Sequence, residues 1–335
     1  MAGNAPGVGV YRNRASDYAP APGFPDLDEL PWPDCDIPGI EEYFTHSARG
    51  RDVRSSALVT SRGCPFDCEF CSVHPVCGRK WRARGAENVL GEIAFLNQDY
   101  GVRYFEIEDD NFTLDSSRAH LILEGIVRLN EKGAGISWAA PNGLRIDTLD
   151  ARLLRLVRQS ACVDIALALE HADPEMLRIM NKKLDPEKAF RVVSECVELG
   201  LPHVTLLVIV GYPGETAERF ETCRQFLKRV CRLGGRVDIY AGLAQPYPGT
   251  RLLERCRREG WLVHPDVADF HAFPHLMSTS WTVNIVTADF DEREARRRRE
   301  VLTSLPDSPG RKLVKAILPD AGLRLLRRCR RQMGI

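Results

Sequence analysis

The sequence has no net charge and no long apolar run. Lysine plus arginine and aspartate plus glutamate number 46 each among 335 residues, so the chain has no overall field of the kind that attracts nucleic acid or a membrane surface. No stretch approaches the roughly 20 apolar residues that span a bilayer, and residues 1–20 contain no apolar segment typical of a signal peptide. These absences favour a cytoplasmic protein that binds neither nucleic acid nor membranes.

A disulfide framework is not indicated either, although the chain has 11 cysteines. The number is odd, the chain is long, and three cysteines lie within one octapeptide. This distribution favours a metal site in a reducing compartment over disulfides. Seven others are scattered, several within helical patterns, and we expect them to be small core residues: Cys35, Cys162, Cys196, Cys223, Cys231, Cys256 and Cys329.

Proline content and apolar periodicity divide the chain into three predicted parts. The first forty residues hold seven of the 21 prolines, which predicts an irregular arm over residues 1–55. In residues 56–260, short apolar runs alternate with amphipathic helical patterns, as expected for one domain. Residues 261–335 are predicted to be a mostly helical extension. The six runs that predict strands are Ala57–Thr60, Val102–Glu108, Ile136–Ala140, Val163–Leu169, Val204–Val210 and Val237–Leu243.

Helix boundary signals separate these strands. Asp185, Pro186 and Gly200, for example, follow the proline-first, glycine-last pattern of a helix. Six strand–helix units in succession predict a parallel sheet with right-handed crossovers, but they are too few to close an eight-stranded barrel. We therefore predict an α/β fold, an open, partial (β/α)6 barrel of the TIM type. Other predicted helix starts are Asp115 or Ser116, Thr148, Thr216 and Thr250.

Basic residues are concentrated in the C-terminal part. The run Arg296–Arg299 is most simply interpreted as the solvated face of a helix. Between Leu313 and Arg331, apolar and basic residues form an amphipathic pattern. This pattern is typical of a terminal helix that packs on its own domain or, as the alternative, of one that touches a membrane surface or a partner.

The segment Cys64-Pro65-Phe66-Asp67-Cys68-Glu69-Phe70-Cys71 carries three thiols in a CxxxCxxC spacing. Thiolates are soft ligands that suit iron–sulfur clusters or zinc. Three of them can hold three corners of a cubane cluster and leave the fourth iron open to a small molecule. The alternative is a zinc site completed by Cys77 or His74. The segment follows the first predicted strand, and therefore lies at the carboxyl end of the sheet, where barrels of this type place their chemistry.

This segment, with Phe70 before its third cysteine, resembles the signature of the radical S-adenosylmethionine (radical SAM) superfamily. The resemblance extends from Leu27 to Leu302. Within the superfamily, this part of the chain is similar to the catalytic half of the cobalamin-binding members. Residues 1–55 lack the Asp-x-His-x-x-Gly pattern of the cobalamin module that these members carry. This module is absent, is a separate chain or was trimmed from this sequence. Dependence on cobalamin is therefore left open. The matching segments are 27–33, 60–65, 78–82, 109–112, 143–147, 211–216 and 246–250.

The resemblance implies two cofactors, a [4Fe-4S] cluster held by Cys64, Cys68 and Cys71 and SAM bound to its free iron. Electron transfer into the sulfonium would release methionine and a deoxyadenosyl radical, which abstracts a hydrogen atom. The protein must therefore hold SAM near the cluster and exclude water from the radical.

The resemblance also implies SAM contacts from residues at the strand ends. Each of these contacts has a structural alternative. The alternative is helix capping or a solvated turn for the acidic group and a surface ion pair for the arginine. For the glutamate it is pairing with a Lys or Arg, and for the apolar residues and glycine it is packing or turn formation. The residues are Asp109, Asp110 and Asn111 for the methionyl ammonium, Arg145 for the carboxylate, Glu170 for the ribose or ammonium, and Val210, Gly211 and Phe70 for the adenine.

The sequence therefore predicts a radical SAM enzyme that acts on a small molecule or a natural-product intermediate. The first hypothesis is C–H functionalisation such as methyl transfer. The second is a cobalamin-independent rearrangement, oxidation or cyclisation, and the third is a non-catalytic scaffold that binds zinc or a cluster. The first two require a reducing protein such as flavodoxin or ferredoxin as a partner.

Overall fold

The structure, a computed structural model, describes residues 10–12, 15–17, 24–44, 53–234, 237–264 and 282–306. Its main feature is a six-stranded parallel sheet, and two short antiparallel pairs lie outside it. The strands of the two pairs are β1 (Val10–Arg12) with β2 (Ala15–Asp17), and β4 (Ser61–Arg62) with β5 (Arg82–Ala83). The sheet contains β3 (Ser55–Leu58), β6 (Tyr104–Ile107), β7 (Ser137–Leu144), β8 (Cys162–Glu170), β9 (Val204–Val210) and β10 (Val237–Leu243).

Nine α-helices lie in the described part of the chain. Most of them connect successive strands of the sheet, as a parallel sheet requires. They are α1 (Val73–Cys77), α2 (Ala86–Tyr100), α3 (Ser116–Glu131), α4 (Ala151–Gln159), α5 (Pro174–Ile179), α6 (Pro186–Glu198), α7 (Ala217–Cys231), α8 (Arg251–Glu259) and α9 (Glu292–Thr303).

The sheet confirms the predicted open barrel. Its strands are ordered β10-β9-β8-β7-β6-β3, so each main strand pairs with its predecessor and successor in the chain. All five pairings are parallel. Within the described residues, β3 and β10 are the two edges and do not pair with each other. The carboxyl ends of all six strands therefore share one edge, to which the cysteine segment is attached by β3.

Alternating burial explains how the strands pack. In β9, Val204, Leu206, Val208 and Val210 are buried, whereas the residues between them are partly exposed. This alternation places one face of the sheet against the helices, where a continuous apolar core forms. A second, smaller core lies beside the cysteine segment, and Phe70 packs against it.

Most predicted helix caps are confirmed. The side chains of Asp115, Asp185, Thr216 and Thr250 each accept a hydrogen bond from a backbone N–H in the first turn of α3, α6, α7 and α8. Thr148 was the wrong choice for α4. It ends a short 3-10 turn, and Asp150 caps the helix by accepting from the N–H of Leu153 at 2.8 Å.

The interpretation of Arg296–Arg299 as a solvated face is wrong for two of its members. Arg296 and Arg297 are exposed and pair with acidic residues of α9. Arg298 is only 1% exposed, and Arg299 is buried and donates to the carbonyl of Ala241 in β10 at 2.9 Å. The helix α9 thus packs on the β10 edge. The amphipathic segment from Leu313 to Arg331 lies outside the described residues.

Several of the scattered cysteines are core residues, as predicted. Cys162, Cys196, Cys223 and Cys256 are buried, and the other described ones, Cys35 and Cys231, are half-buried. Cys329 lies outside the described residues. In the described part of the chain, we find no helix with the length and apolarity needed to cross a membrane.

Candidate functional site

The three cysteines of the segment lie close together at the carboxyl edge of the sheet. Cys64 is buried, and Cys68 and Cys71 are half-buried. Burial, with smaller contributions from the neighbouring Cys68 and Cys64, raises the pKa of the Cys71 thiol to about 11. Burial also raises the pKa of Cys68, which Lys182 and Arg145 oppose. Cationic residues therefore stand next to these thiols.

Glu69 anchors the segment to three other elements. Its N–H donates to the carbonyl of Met180 at 2.9 Å, and its carbonyl accepts from the N–H of Leu252 at 3.1 Å. Its carboxylate accepts from the hydroxyl of Tyr212 at 2.6 Å and lies 3.4 Å from Arg255. Burial, followed by the charge of Glu69, strongly raises the pKa of Tyr212. The cysteines are thereby fixed relative to α5, α8 and the end of β9.

Asp67 forms a second anchor of the segment. Its carboxylate lies 2.9 Å from Arg79 and 3.1 Å from Arg251. Its carbonyl accepts from the guanidinium of Arg251 at 2.6 Å and from the side-chain amide of Asn181 at 2.5 Å. Asp67 thus joins residues that are far apart in sequence around the segment.

The residues predicted to bind the methionyl ammonium contact residues 60–64, at the start of the cysteine segment and just before it. Asp109 is buried, and its carboxylate accepts from the N–H and hydroxyl of Thr60 and the hydroxyl of Ser61, each at 2.6 Å. Burial raises the pKa of this carboxyl, and these hydrogen bonds oppose the rise. Asp110 accepts from the N–H of Gly63 at 2.8 Å. The side-chain amide of Asn111 lies 3.8 Å from the sulfur of Cys64.

The residue directly before the cysteine segment, Gly63, has a conformation that requires glycine. Its φ of +85° lies in the left-handed region, and a Cβ would come within 2.5 Å of the carbonyl oxygen of Lys80. Only glycine fits such a position without displacing backbone. The close approach brings residues 78–80 against Gly63, the residue directly before Cys64.

Arg145 is buried and forms an ion pair with Asp147, whose side chain is 26% exposed. The Nε and one terminal nitrogen donate to the carboxylate of Asp147 at 3.0 and 2.8 Å. The guanidinium also stacks 3.5 Å from the ring centroid of Phe66, within the cysteine segment. Its predicted contact with the SAM carboxylate stays a prediction.

Glu170 ends β8 in an unusual conformation. Its φ is +64°, and the pairing of β8 with β9 is irregular between Ala168 and Glu170. Its carboxylate accepts from the ammonium of Lys182 at 3.0 Å, with side chains only 12% and 4% exposed. A left-handed conformation in a residue other than glycine costs about 1–3 kcal/mol. The surrounding structure therefore forces this carboxylate to its position beside Lys182.

An apolar cleft of about 260 Å³ opens at the carboxyl ends of β8, β9 and β10. Phe70 lines it and also contacts Tyr212 edge-on, with ring centroids 6.4 Å apart. The cleft is lined by Val208 and Ile209, whereas Val210 and Gly211 are not among its wall residues. The full lining is Phe70, Glu170, Leu207, Val208, Ile209, Tyr240, Gly242, Leu243, Ala244, Gln245 and Tyr247.

Gly211 instead lies against helix α9. A Cβ there would lie 3.4 Å from the Cβ of Ala295 in α9, and its φ is +69°. Its N–H donates to the carboxylate of Glu215 at 2.9 Å, which also lies 3.1 Å from Arg298. The turn after β9 is therefore held by α9.

Sequence reasoning missed Lys182, Tyr212 and Arg298 as contributors to this region. Tyr212 and Arg298 were noted only as parts of a turn motif and a charge run, and Lys182 lies in an ordinary Asn-Lys-Lys sequence. Their roles depend on partners 12, 143 and 83 residues away, respectively. Only the strand-end position of Glu170, which needed a partner for its charge, pointed to a nearby cation.

The donor set of the segment fits a cubane cluster. In a cubane each thiolate binds a different iron, so the sulfurs need not converge on one point. Within the described ranges, no group of three or more His, Cys, Asp or Glu side chains is placed to hold a single metal ion. The buried Asn111 side-chain oxygen, beside Cys64, has no hydrogen-bond partner, and therefore has an acceptor available for a bound group.

Comparison with known proteins identifies the family of this chain. The family model of the radical SAM superfamily matches residues 58–227, half of the chain. An uncharacterized methyltransferase of Pyrococcus horikoshii is 33% identical over 238 residues, 70% of this chain and 48% of the relative. A cytidylyl-2-hydroxyethylphosphonate methyltransferase of Streptomyces wedmorensis is 29% identical over 71% of this chain and 45% of that protein. The chain thus spans about half the length of these relatives.

A solved structure shares the fold. The radical SAM methyltransferase TsrM of Kitasatospora setae, with cobalamin and a [4Fe-4S] cluster bound, superposes with a TM-score of 0.54 at 21% identity. The match covers 67% of this chain and 40% of TsrM. Members of this family use a [4Fe-4S] cluster and SAM. With its cysteine segment, its open parallel sheet and the matching family model, the chain belongs to the radical SAM superfamily and is an enzyme of that class.

Proposed function

We propose that this enzyme cleaves SAM reductively to functionalise a C–H bond of a small-molecule or natural-product substrate, with methyl transfer as its outcome. The observation that carries the proposal is the position of the cysteine segment. It lies at the carboxyl edge of the sheet, and Phe70 extends from it into the wall of the apolar cleft. A cofactor bound by the cysteines would therefore meet a ligand in the cleft.

Cys64, Cys68 and Cys71 would hold the [4Fe-4S] cluster. When bound, the cluster supplies an open iron site for SAM and one electron for its cleavage. The protein's own contribution is positional. Glu69, with its bonds to Met180, Leu252 and Tyr212, fixes the segment.

Glu170 is the charged residue in the wall of the cleft. Its carboxylate accepts hydrogen bonds, which suits an ammonium or ribose hydroxyls. Lys182 is buried and is not a wall residue, but it donates to Glu170 at 3.0 Å and so holds that carboxylate in position. The apolar walls from Leu207 to Ile209 suit the adenine base and exclude water from a reactive intermediate.

The relatives support methyl transfer over rearrangement or oxidation. Two of them carry the name methyltransferase, with identities of 33% and 29% over about 70% of this chain. TsrM, which shares the fold at a TM-score of 0.54, contains cobalamin in its structure. Participation of cobalamin in this enzyme is left open, and the experiment below includes it as a variable. A scaffold without catalysis is not consistent with membership in an enzyme family.

The test is anaerobic reconstitution with iron and sulfide, followed by incubation with SAM, reductant and candidate substrates. We expect a brown protein whose cluster spin-resonance spectrum changes when SAM is added, and formation of deoxyadenosine or a methylated product. Turnover with and without cobalamin separates the two types of radical enzyme. A protein that stays iron-free under every loading condition, or whose cluster does not respond to SAM, would refute the proposal.

The partners and location follow from the same chemistry. An iron site on thiolates and several free cysteines require a reducing environment such as the cytoplasm. The reaction also needs an electron source, for which a reduced flavodoxin or ferredoxin is the expected partner. The small-molecule substrate would enter through the cleft.

A further inference from the structure

Exposed basic residues surround the cysteine segment. Arg79 and Arg251, 66% and 54% exposed, contact Asp67 from two different elements. Arg62, the last residue of β4, and Lys80, two residues before β5, are also exposed. The carbonyl of Lys80 lies against Gly63, next to Cys64. We call these four residues, with Pro65 and Val76, the cysteine-side surface.

Among the described residues, the acidic side chains beside these four cations are fewer than the cations. Asp67 is shared between Arg79 and Arg251, and Asp110, which accepts from the N–H of Gly63, lies with Arg62 near Cys77. The carboxylate of Glu69 is only 12% exposed and is bound by Tyr212. The chain as a whole has equal numbers of acidic and basic residues. The cysteine-side surface is therefore locally positive on a neutral protein.

The cysteine-side surface also has exposed apolar residues. Val76 is 76% exposed on α1, and Pro65 is exposed directly after Cys64. The helix α1 is held in place by the loop before α8, because a Cβ on Gly249 would approach Pro75 within 2.7 Å. An apolar patch bordered by arginines is the composition of a protein-binding surface.

We propose that the cysteine-side surface docks an acidic electron-donor protein of the flavin or iron–sulfur type. The proposal rests on the function proposed above and names the surface through which the electron arrives. In each encounter the donor loses one electron and the cluster gains one, and no bond is formed or broken between the proteins. Both half-buried cysteines lie within six residues of Pro65, so a partner docked here stands close to the acceptor.

The charge pattern suits a transient redox encounter. Such complexes bury little area, typically below about 1,200 Å², and depend on electrostatic steering for their rate. Exposed charges are screened by salt. The association should therefore be fast at low ionic strength and weaken as salt is added, as expected for a donor that must leave after each electron.

The first experiment measures binding without turnover. Oxidised flavodoxin is titrated with the reconstituted enzyme at several salt concentrations, and binding is followed by calorimetry. The variant Arg62→Glu/Lys80→Glu reverses two exposed charges that are not among the anchors of Asp67. We expect its affinity to fall about tenfold and its salt dependence to flatten.

The matched control reverses two exposed arginines at the opposite edge of the sheet. Arg155 and Arg158 lie on α4, just before β8 begins. The variant Arg155→Glu/Arg158→Glu has the same change in net charge and should bind flavodoxin nearly as well as the wild-type protein. An equal loss of affinity in both variants would show that net charge alone is responsible and would overturn the proposed surface.

The second experiment compares two electron donors on the loaded enzyme. Cluster bleaching by reduced flavodoxin should slow about tenfold in Arg62→Glu/Lys80→Glu. Bleaching by the methyl viologen cation radical should stay the same or become faster, because its charge is positive. Slowing with both donors would place the defect in the cluster and overturn the docking surface. A wild-type enzyme that cleaves no SAM with either donor would instead refute the proposed function.

Discussion

The two halves of the carboxyl edge of the sheet use similar residues differently. At the end of β6, Asp109 and Asp110 bind backbone N–H and hydroxyl groups of residues 60–63. At the end of β8, Glu170 has a lysine partner and lines an open cleft. The two carboxylates of the first half thus support the cysteine segment, whereas the carboxylate of the second half faces an open cleft. A carboxylate at a strand end marks the neighbourhood of a site without deciding its role.

The cysteine segment connects these halves. Its start is tied to Asp110 through Gly63, and its middle is tied to α5, α8 and Tyr212 through Glu69. A change in either half therefore reaches the cysteines, but by a different route. Substitutions in the first half should alter stability, and those in the second should alter SAM binding.

The largest effect is expected at the cysteines themselves. Replacing any one of Cys64, Cys68 or Cys71 with alanine removes a cluster ligand and should abolish SAM cleavage. The measurements are iron content and deoxyadenosine after reconstitution. Cys196→Ala is the matched control, because this thiol is fully buried in α6, and it should retain the cluster. Substantial deoxyadenosine from a segment variant would contradict the site.

The second effect tests the first half of the edge. Asp109→Ala leaves three buried donors of residues 60 and 61 without their acceptor, and should lower the free energy of unfolding by about 2–4 kcal/mol. The measurement is urea denaturation of the apoprotein. Asp115→Ala, which removes only a helix cap, should cost about 1 kcal/mol.

SAM affinity of the same variants decides whether Asp109 is also a ligand. If it serves only the segment, the loss of SAM affinity should be small once folding is restored by low temperature. If Asp109→Ala leaves stability unchanged but loses much of its SAM affinity, Asp109 is a SAM ligand. The comparison between the two halves would then fail.

The sequence predicts the periodic and local features of this enzyme well. The strands Val204–Val210 and Val237–Leu243 match their predicted bounds, because alternating or continuous apolar runs encode burial directly. Four of five predicted caps are also found, because a cap depends only on residues within one turn. The cysteine spacing identified the family for the same reason.

Features that depend on distant partners could not be predicted. Arg298 and Arg299 resemble their exposed neighbours in sequence, and only the packing of α9 on β10 separates them. The left-handed conformation of Glu170 results from an irregular pairing of β8 with β9.

The third effect tests the second half of the edge. Glu170→Gln and Lys182→Gln each remove one charge from the buried pair at the cleft. Because a hydrogen bond to a charged group contributes about 1.5–3 kcal/mol, SAM affinity should fall about 10- to 100-fold. Equilibrium binding of SAM to the reconstituted protein provides the measurement.

A second buried pair gives the control for this test. Glu92 and Arg84 have side chains only 5% and 11% exposed, and Glu92 lies in α2, near the β3 edge of the sheet. Glu92→Gln should destabilise the fold about as much as Glu170→Gln, but should leave SAM affinity unchanged. Equal SAM affinities in the two variants would remove the Glu170–Lys182 pair from the ligand site.

The smallest effect concerns the bond that joins the halves. Tyr212→Phe removes the hydroxyl that donates to Glu69 at 2.6 Å, and should cost about 1 kcal/mol of stability. Because Glu69 lies between Cys68 and Cys71, the variant should also lose its cluster faster in air. Tyr104→Phe removes a hydroxyl that donates to Glu106 at 3.2 Å, away from the cysteines, and should lose its cluster at the wild-type rate. If both variants lose the cluster equally fast, the hydrogen bond from Tyr212 to Glu69 does not help to hold the cysteines in place.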